Sequence, residues 1–499
     1  MHLLTTQQMA QADQLTMDSG LSGCDLMQNA AEAVASIIRQ LAGADQLIQI
    51  LCGPGNNGGD GYALGAILVR EWRNVEIFAV AAPKDDSDAA WARSKWGKDV
   101  RPLSEFRPDG SAIIVDALFG AGLSRPLEGD ALEAVERANG SAATIVAVDI
   151  PSGIGGNDGK IYGTAIEASD TVTFFRGKPG HWLYPGRGNT GRLHVKQIGI
   201  EERVLRTIDS NCRLNGPFLW IGSLPSSENS THKYERGAAL IFSGAALSTG
   251  ASRLSALAAA RAGAGAVTLV APPDAARVHA AHLTAIMVNE AETREDALER
   301  ACNGKERAAV IGPGYGVGEP LKKLVLGLLK ASNSALKTIV LDADALTSFR
   351  EDPETLFDAI RAGKKNVVLT PHEGEFSRLF PNLAEGHAKT EKAAEAARRS
   401  GAIVLLKGSD TVIAEPDGCI AINPNGTPLL ATAGSGDVLA GIIAGLAAQN
   451  MPLFLAACAA AWLHAEAARS FGRGLVADDL PDQLPAILES LFDTEERGQ

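Results

Sequence analysis

The sequence has few aromatic residues, no cysteine pattern typical of a metal site and no surplus of positive charge. Aromatic residues make up only 5% of the 499 residues, beside 53 glycines, which favours closely packed helices and sheets over an aromatic-rich β-sandwich. The net charge of −13 argues against a broad surface for nucleic acid or for an anionic membrane. Any phosphate site must therefore be local, built from backbone amides and a few cationic side chains.

The six cysteines are scattered, without a Cys-x-x-Cys pair or zinc-finger spacing. Several lie within apolar runs, as buried thiols do, and we expect them to be reduced, in a cytoplasmic protein. The N-terminal Met1–Asp18 lacks the basic-then-apolar layout of a signal peptide. The most apolar late stretch, Leu453–Ala465, is about two-thirds of a membrane span in length, so it predicts a core helix.

Two series of alternating strand-like and helix-like segments predict two fused α/β domains. In the first half, apolar runs such as Leu47–Leu51 and Thr144–Val148 alternate with helical patterns. A second series starts at Ala238–Phe242, after a break in which Ser223–Ser230 indicates a linker. Strands that alternate with helices imply mostly parallel sheets with right-handed crossovers. We place the two domains at residues 1–215 and 226–495.

A glycine-rich segment, Gly53–Gly61, follows the first predicted strand and precedes a helical pattern from about Tyr62. In open α/β sheets, ligands bind over such turns, at the carboxyl ends of the strands. Glycines let the backbone approach a ligand, and the amides of a helix N-terminus attract an anion. The segment does not match GxGxxG, and a tight turn without a ligand is the plainer alternative. Asn56-Asn57 ahead of two glycines favours binding, because a turn alone has no need of that pair.

Two further predicted strands end in an aspartate, Asp116 and Asp149. The carboxyl ends of parallel strands meet at one edge of a sheet, so we expect both acids to face the same cleft as the glycine-rich segment. A lone aspartate at a strand end is usually a helix cap. Two of them beside an Asn- and Asp-rich segment favour acid–base chemistry, and Asp, Asn and Ser oxygens together also suit a hard cation.

A second glycine-rich segment, Thr432–Asp437, lies directly before the apolar helical pattern Val438–Ala448. Amides at that helix N-terminus can stabilise negative charge on a transferring phosphoryl group, and Asp437 is positioned like a base that deprotonates an attacking hydroxyl. Capping of the helix by Ser435 or Asp437 is the structural alternative. His372, between two predicted elements and beside two glutamates, is a candidate ligand or a capping residue.

Four motifs of the first half are GPGNNGGDGY (residues 53–62), VDALFGAGL (115–123), VDIPSG (148–153) and KPGH (178–181). Together they resemble the YjeF N-terminal domain, the NAD(P)H-hydrate epimerase, over about residues 5–205. The resemblance implies a Rossmann-like three-layer domain, in which Asn57, Asp116 and Ser152 bind a potassium ion. Asp149 would be the acid–base group that helps the C6 hydroxyl of the hydrated nicotinamide leave and return. The residues that would hold the dinucleotide are Asn56, Asn57, Gly58, Gly59, Asp60, Gly120, Ala121, Gly122, Leu123, Ser124, Arg125, Pro126 and Asp149.

Five motifs of the second half are GPGYG (312–316), LDADAL (341–346), LTPHEGE (369–375), LLKG (405–408) and TAGSGDVLAG (432–441). They resemble the ribokinase-like superfamily and, more narrowly, the YjeF C-terminal domain, the ADP-dependent NAD(P)H-hydrate dehydratase, over about residues 230–492. The resemblance implies a three-layer domain that uses ADP with Mg²⁺, with Gly316, His372 and Asp437 on the substrate. The implied ADP-binding residues are Lys407, Gly408, Ser409, Asp410, Thr411, Thr427, Thr432, Ala433, Gly434, Ser435 and Gly436.

The entrance to the second domain departs from the family pattern. Members usually have a Lys-Gly pair and then a Gly-Gly-Ser turn after the first strand, whereas this chain has His232–Gly237 and Phe242–Ala246. We therefore assign no site residue within residues 232–246.

Both resemblances together imply a bifunctional metabolite-repair enzyme. It would interconvert the (R) and (S) epimers of NADH or NADPH hydrate (NAD(P)HX) and dehydrate the (S) epimer with ADP, giving NAD(P)H, AMP and phosphate. We expect NAD(P)HX and ADP as small-molecule partners, no nucleic acid or membrane, and self-association into a homo-oligomer. The residues leave open the choices between NADHX and NADPHX and, apart from the resemblance, between ADP and ATP.

Two other functions are compatible with parts of the sequence. A ribokinase-like domain with Gly-Ser-Gly-Asp could phosphorylate a vitamin-precursor alcohol, beside a non-catalytic N-terminal binding domain. Domains that resemble the first half also occur as scaffolds in RNA-processing proteins. Asp149, the Asn-Asn-Gly-Gly-Asp segment and the acidic charge favour catalysis over a scaffold role.

Overall fold

The chain divides into two compact α/β units, one comprising His2–Cys212 and the other Arg213–Gln499 together with Met1. The structure, a computed structural model, describes residues 1–225, 236–332 and 334–497. The predicted linker from residue 226 onward, the predicted start of the second domain and residues 232–235 lie outside the described residues. Each unit has its own sheet with helices packed against it, which confirms the prediction of two α/β domains.

A parallel sheet of seven strands forms the centre of the first unit. Its strands are β1 (Ile48–Cys52), β2 (Val75–Ala79), β3 (Arg101–Pro102), β4 (Ile113–Ala117), β5 (Thr144–Val148), β6 (Asp170–Phe174) and β7 (Arg192–Lys196). Its helices are α1 (Thr6–Asp18), α2 (Gly23–Leu41), α3 (Asn56–Arg70), α4 (Asp88–Trp96) and α5 (Gly129–Asn139). The strand order is β3-β2-β1-β4-β5-β6-β7, with every neighbouring pair parallel. Because β1, β4 and β5 are adjacent, their carboxyl ends meet at one edge, as predicted.

The two faces of this sheet are both covered, as continuous apolar strands require. Ile50 of β1 and Val115 of β4 belong to a core with residues of α1 to α4. Their chain neighbours Leu51 and Ile114 belong to a second core with residues of α5. Successive side chains of a strand point to opposite faces, so the unit has three layers. The three-layer Rossmann-like architecture is therefore confirmed.

The helix after β1 begins earlier than the sequence pattern indicates. We predicted a loop through Gly61 and a helix from about Tyr62, but α3 begins at Asn56, with Gly55 as its N-cap. The prediction failed because glycines disfavour a helix interior, whereas here tertiary packing demands them. A β-carbon at Gly61 would lie 2.8 Å from Cβ of Ala117 and 2.8 Å from Sγ of Cys52.

Gly58 is a position where any side chain should destabilise the first unit. A β-carbon there would lie 1.9 Å from the carbonyl oxygen of Gly53, and neither backbone segment can yield without moving the helix. We expect Gly58→Ala to lower the free energy of unfolding by roughly 1–3 kcal/mol, measured by urea denaturation. Gly122→Ala is the matched control, since a β-carbon at Gly122 meets no atom within 4 Å. Equal stability of the two variants would contradict this prediction.

The second unit is built on a ten-stranded mixed sheet. Its strands are β8 (Cys212–Leu214), β9 (Ala238–Phe242), β10 (Ala266–Ala271), β11 (Met287–Glu290), β12 (Ala308–Ile311), β13 (Thr338–Leu341), β14 (Asn366–Leu369), β15 (Ile403–Leu406), β16 (Val412–Ala414) and β17 (Ile420–Ile422). The order is β11-β10-β9-β12-β13-β14-β15-β16-β17-β8. In this order, every neighbouring pair between β11 and β15 is parallel. The pairs β15–β16 and β16–β17 are antiparallel.

Helices cover both faces of this sheet. They are α6 (Pro217–Trp220), α7 (Thr249–Arg261), α8 (Pro273–His282), α9 (Arg294–Asn303), α10 (Glu319–Lys330), α11 (Asp344–Ser348), α12 (Pro353–Ala362), α13 (Glu373–Leu379), α14 (Lys389–Ser400), α15 (Ser435–Ala448), α16 (Leu453–Phe471) and α17 (Leu480–Arg497). Ile241 and Val310 share a core with α7 and with α15 to α17. Their neighbours Leu240 and Ala309 point the other way and are equally buried.

Helix α15 lies unusually close to α7 because it presents glycines to that helix. A β-carbon at Gly441 would lie 2.2 Å from the carbonyl oxygen of Ser255, and one at Gly445 would lie 2.5 Å from that of Ala259. The Ser255 hydroxyl also donates to the carbonyl oxygen of Asp437, at 2.8 Å. This packing fixes the helix N-terminus that carries the second glycine-rich segment.

The strands that were missed are short or polar. All the predicted strands are present, but β3, β7, β8, β11 and β17 were not predicted. Strand β7 (RLHVK) carries polar side chains at alternate positions and lies at the sheet edge, so its apolar signal is weak. None of the six cysteines forms a disulfide, as expected. No helix in the described part of the chain is long and apolar enough to cross a membrane.

Candidate active sites

A cleft of about 580 Å³ opens at the carboxyl ends of β1, β4 and β5. Its sheet-side wall combines the start of α3 with the segment after β4 and with Asp149 and Lys178. Helices α1 and α2 form another part of the wall. Of the predicted substrate-binding residues, those that line the cleft are Asn56, Asn57, Asp60, Gly120, Ala121, Gly122, Leu123, Ser124, Arg125 and Asp149.

Three donors hold the carboxylate of Asp149. Lys178 Nζ lies 2.5 Å from Oδ1, and Thr173 Oγ1 donates to the same oxygen at 3.0 Å. The backbone N–H of Ala121 donates to Oδ2, at 3.1 Å. Asp149 also has a left-handed backbone, with φ of 66°, which aspartate adopts more readily than most residues. The carboxylate is therefore fixed in orientation before any ligand binds.

His181 supports the backbone of the same aspartate. The backbone N–H of Lys178 donates to His181 Nδ1, so the ring proton resides on Nε2. That Nε2 lies 2.8 Å from the carbonyl oxygen of Asp149 and donates to it. Burial and then the Lys178 charge lower the pKa of His181 to about 4, so the ring is neutral near pH 7. His181 therefore orients Asp149 through the main chain and carries no charge.

The carboxylates of the cleft differ in protonation. Burial acts to raise the pKa of Asp149, but the Lys178 ammonium and the hydrogen bonds outweigh it, and the pKa lies below its ordinary value. Burial, together with the charges of Asp149 and Asp13, holds the pKa of Asp60 well above its ordinary value. Burial is also the main reason that the pKa of Asp13 rises to about 6. The site therefore pairs an acid with a lowered pKa and acids with raised pKa values, an arrangement that suits acid–base chemistry.

Asp116 and Ser152 form a buried polar cluster beneath the cleft. The Ser152 hydroxyl donates to Asp116 Oδ1 at 2.6 Å, and the Ser152 N–H donates to Oδ2 at 2.7 Å. Burial raises the pKa of Asp116 to about 6, although these hydrogen bonds oppose the rise. No lysine, arginine or histidine within the described residues pairs with Asp116. Asn57 has a buried Nδ2 without a hydrogen-bond partner in the described structure.

Three of the predicted substrate residues are not among those lining the cleft. Gly58 and Gly59 are buried in the first turns of α3, where a β-carbon at Gly59 would lie 2.5 Å from Met27 Cε. Pro126 is exposed beyond the cleft-lining segment. Conversely, the predicted site residues did not include Lys178, which is 2% exposed, or Asp13. Lys178 belongs to the KPGH motif, which could have indicated its role. It was not predicted because a lysine in a loop is usually solvated. A single aspartate in an amphipathic helix carries no such signal.

The second site lies at the N-terminus of α15. Its N-cap is Gly434, which has φ of 89° and no side chain to cap the first amides. Of the two suggested capping residues, Ser435 and Asp437 both lie inside the helix, so side-chain capping does not explain the segment. The first N–H groups of a helix have no hydrogen-bond partner within the helix, and such groups can bind anions. The resemblance places a phosphoryl group at this helix N-terminus, where no side chain caps the first amides.

A lysine and two acids surround that helix N-terminus. Lys407 Nζ donates to Asp342 Oδ1 at 2.8 Å and lies 3.9 Å from Glu375 Oε2. Thr370 Oγ1 donates to the same Asp342 oxygen, at 2.8 Å. A β-carbon at Gly436 would lie 3.4 Å from Lys407 Nζ, so the glycine leaves space next to the ammonium. The prediction included Lys407 but omitted Asp342, which its LDADAL motif contains.

Asp437 is protonated to a substantial degree at neutral pH. Burial and then the negative charge of Asp342 raise the pKa of Asp437 to about 7, while Lys407 opposes the rise. Burial would lower the pKa of Lys407, but Asp342 and Glu375 outweigh it and the pKa is raised, so the lysine stays charged. A carboxyl group with a pKa near the working pH is suited to general base catalysis.

The remaining predicted residues of this site lie on neighbouring strand ends. His372 is the N-cap of α13, where its Nδ1 accepts from the N–H groups of Gly374 and Glu375, at 3.0 and 3.3 Å. His372 therefore caps α13 through Nδ1, as the capping alternative proposed. Its ring proton is on Nε2. The Gly316 N–H donates to Asp344 Oδ2 at 2.8 Å.

The segment after β15 is closed by its own hydrogen bonds. The Gly408 N–H donates to Thr411 Oγ1 at 3.2 Å, and the Thr411 hydroxyl donates to the Gly408 carbonyl at 2.8 Å. Lys389 Nζ lies 2.6 Å from Asp410 Oδ1. Predicted nucleotide-binding residues are thus fixed by contacts within the protein. Thr427 accepts from the N–H of Leu429 at 3.4 Å. No cluster of three or more His, Cys, Asp or Glu suited to a metal occurs among the described residues.

Two family models match the chain. One, described as NAD(P)H-hydrate dehydratase, matches residues 239–489, and one described as YjeF-related protein N-terminus matches residues 23–180. The solved ADP/ATP-dependent NAD(P)H-hydrate dehydratase from Bacillus subtilis, co-crystallised with ATP/Mg²⁺, is 29% identical, with a TM-score of 0.48. That alignment covers 54% of this chain and 95% of the Bacillus chain.

Curated relatives match over nearly the whole chain. The bifunctional NAD(P)H-hydrate repair enzyme of Moorella thermoacetica is 38% identical over 522 residues, which cover 98% of this chain and 97% of that protein. The enzyme of the same description from Escherichia coli is 33% identical over 482 residues, covering 94% of this chain and 90% of that protein. This chain therefore belongs to the family of bifunctional NAD(P)H-hydrate repair enzymes.

Proposed function

We propose that this chain repairs hydrated NADH and NADPH by two reactions, one in each unit. The first unit interconverts the (R) and (S) epimers of NAD(P)HX. The second unit dehydrates the (S) epimer with ADP and forms NAD(P)H, AMP and phosphate. The observation that carries the proposal is the presence of two separately built acid–base sites, around Asp149 and Asp437, in a chain aligned with bifunctional relatives over 98% of its length.

The cleft of the first unit suits an epimerase because it offers a fixed carboxylate beside acids whose pKa values are raised. Inversion at C6 of the hydrated ring requires the hydroxyl to leave and return, which a general acid–base group assists. Asp149 is held by Lys178 and by the Ala121 N–H, so it is ionised and oriented toward the cleft that it lines. Asn56, Asn57 and residues 120–125 line the same cleft and are the proposed dinucleotide contacts.

The second site suits phosphoryl transfer to the C6 hydroxyl. Asp437 accepts the hydroxyl proton while the oxygen attacks the terminal phosphorus of ADP, and the amides of α15 stabilise the developing charge. The ring nitrogen lone pair then expels phosphate from C6, and loss of a proton from C5 restores the dihydronicotinamide. Lys407 lies beside Gly436 and stays charged, so it is placed to attract phosphate oxygens. His372 and Gly316 are the proposed substrate contacts.

A potassium ion fits the buried cluster of the first unit. Asp116 is fully buried and carries no cationic side chain partner among the described residues, so a bound cation would offset its desolvation. Oxygens of Asn57, Asp116 and Ser152 are hard ligands of the kind that such ions prefer. When bound, the ion would supply positive charge that keeps Asp116 ionised and fixes the segment after β4. The use of Mg²⁺ with ADP in the second unit rests on the family resemblance.

Turnover of a mixed-epimer preparation of NADH hydrate with ADP and Mg²⁺ tests both activities at once. Complete recovery of the reduced-nicotinamide absorbance is the expected result. Recovery that stops at the (S) fraction, after spontaneous epimer exchange is subtracted, would leave a dehydratase beside an inactive first unit. No recovery with ADP or ATP would contradict the proposal. ATP-dependent formation of a stable phosphoester on a vitamin-precursor alcohol would then support the kinase alternative.

Lys178→Met is expected to shift the acid limb of the epimerase pH profile upward. Lys178 holds the pKa of Asp149 down, so without the ammonium the carboxylate ionises only at higher pH. An opposite charge at this range typically lowers a pKa by about one unit or more, and the limb in kcat/KM should move by a similar amount. Lys160→Met, which removes a surface ion pair of the same unit, is the control and should leave the profile in place. An unmoved limb in the Lys178 variant would contradict the assignment of Asp149 as the ionised group.

The homo-oligomer expected from the sequence stays a prediction, which sedimentation of the full chain would check. The choice of ADP over ATP is part of the proposal, and parallel assays with each nucleotide at equal concentration would decide it.

A further inference from the structure

Epimerisation at C6 makes a geometric demand that one carboxylate does not meet. The hydroxyl leaves from one face of the nicotinamide ring, and a hydroxyl must arrive on the opposite face. Asp149 is fixed by three hydrogen bonds, from Lys178, Thr173 and Ala121, and so serves one face. A second proton-transfer group on another wall of the cleft is therefore required. This inference rests on the proposed function of the first unit.

Helix α1 places one titratable side chain on the helical wall of the cleft. Its residues Met9, Asp13 and Met17 follow one another at intervals of four, so they lie along one helix face, and all three line the cleft. The wall residues contributed by α2 are Gly23, Leu26, Met27 and Ala30. Asp13 is thus the one ionisable residue that α1 and α2 contribute to the lining among the described residues.

The position of Asp13 is set by the way α1 begins and packs. Thr5 accepts from the N–H of Gln8, and the Gln8 side chain accepts from the N–H of Thr5, which forms a capping box. Ala12 is fully buried beneath the helix, next to Asp13 in the chain. The opposite face of α1 is thus anchored, and no hydrogen bond or ion pair to another described residue holds the Asp13 carboxylate.

We propose that Asp13 is the second acid–base residue of the epimerase, acting on the ring from the helical wall while Asp149 acts from the sheet edge. The charged and titratable groups that share the cleft with Asp13 are Asp60, Asp88, Arg125, Asp149 and Lys178. Burial raises the pKa of Asp13 to about 6, with a further rise from Asp149 that Lys178 opposes. The pKa of Asp13 is therefore higher than that of Asp149, so Asp13 is the better proton donor of the two and Asp149 is ionised and able to accept a proton.

The step balances with solvent water as the co-reactant. Protonated Asp13 donates its proton to the C6 hydroxyl, the C6–O bond breaks, and its electron pair leaves with the oxygen as water. The ring nitrogen lone pair forms a C6=N1 iminium. A second water adds to C6 from the Asp149 face, and Asp149 accepts the proton that this water loses. Proton exchange with solvent then returns Asp149 to its ionised form and Asp13 to its protonated form. The opposite epimer reacts with the two roles exchanged.

Asp13→Asn, which keeps the shape of the side chain, is the direct test, with Asp18→Asn on the exposed end of the same helix as the matched control. We expect the epimerase kcat of the Asp13 variant to fall by about 100-fold or more, with KM little changed and the control unaffected. Dehydration of pure (S)-NADHX by the same full-length variants should be unchanged. A kcat for Asp13→Asn within about threefold of the wild type would overturn the proposal, since a lost general acid–base group costs far more.

Two further measurements separate catalysis from a structural role. Formate added to Asp13→Ala should restore part of the epimerase rate in proportion to its concentration, because it supplies the missing carboxyl group; no response to formate would overturn the proposal. In H₂¹⁸O, the wild type should place ¹⁸O on C6 with each inversion, beyond the spontaneous exchange, and an unlabelled inverted epimer would overturn the water step. A wild type that does not epimerise at all contradicts the proposed function itself, which is a distinct outcome.

Discussion

Asp149→Asn is expected to abolish epimerisation while dehydration of (S)-NAD(P)HX continues at the wild-type rate. The amide cannot accept the proton that the reaction requires, so the epimerase kcat should fall by about 100- to 10,000-fold. Asparagine tolerates the left-handed backbone of this position, so the substitution keeps the main chain in place. The measurement is the interconversion rate of purified epimers, beside the recovery of NADH from pure (S)-NADHX with ADP.

Asp170→Asn is the control for this variant. Asp170 is also buried and paired, with His194 Nε2 at 2.7 Å from its Oδ1, but it lies at the first residue of β6, away from the carboxyl edge of the sheet. Both variants remove a buried carboxylate charge, and only the first should lose epimerisation. Loss of dehydration together with epimerisation in Asp149→Asn would contradict the independence of the two sites. Equal epimerase losses in the two variants would indicate that a lower stability of the fold, and not the loss of an acid–base group, causes the effect.

Asp437→Asn is expected to stop dehydration and leave ADP binding intact. The variant lacks the base for the C6 hydroxyl, and kcat should fall by about 100- to 10,000-fold. Lys407 keeps its ion pair with Asp342, so the positive charge beside the helix N-terminus remains available to the nucleotide. The dissociation constant of ADP, measured by calorimetry, should stay within about twofold to threefold, since the amides and Lys407 carry the phosphate interaction. Unchanged turnover would contradict the assignment of Asp437 as the base.

The pH dependence of the wild type offers a second check on Asp437. Its pKa is raised to about 7 by burial and by Asp342, and the base is active only when ionised. The kcat/KM of dehydration should therefore rise with pH through about 7 and level off above it. Asp342→Asn removes the neighbouring negative charge, so it should move this limb to lower pH. A limb that stays in place after that change would show that another group controls it.

The architecture could be predicted from the sequence because its signals are local. Apolar runs such as Ile113–Val115 and Val146–Val148 are typical of strands buried on both faces of a sheet, and the structure has β4 and β5 there. Aspartates that follow such runs lie at the carboxyl edge by the direction of the chain alone. The positions of Asp116 and Asp149 followed from this, without knowledge of any contact. Asp437 was predicted from the apolar helical pattern that follows it, and it lies in the first turn of α15. The short edge strand β3 and the polar strand β7 were not predicted because neither has an apolar pattern.

The sequence by itself thus determined two α/β units, the strand ends that carry acids and the glycine-rich N-terminus of the apolar helix α15. Only the tertiary structure showed that Lys178 is buried against Asp149, that His181 is neutral and supports the same residue, and that Asp13 reaches this cleft from α1. It also decided that Asn56–Gly61 is helical, against the local preference of its glycines. The physical reason is that protonation and proximity depend on burial and on charges distant in sequence, whereas strand and helix patterns depend on neighbouring residues.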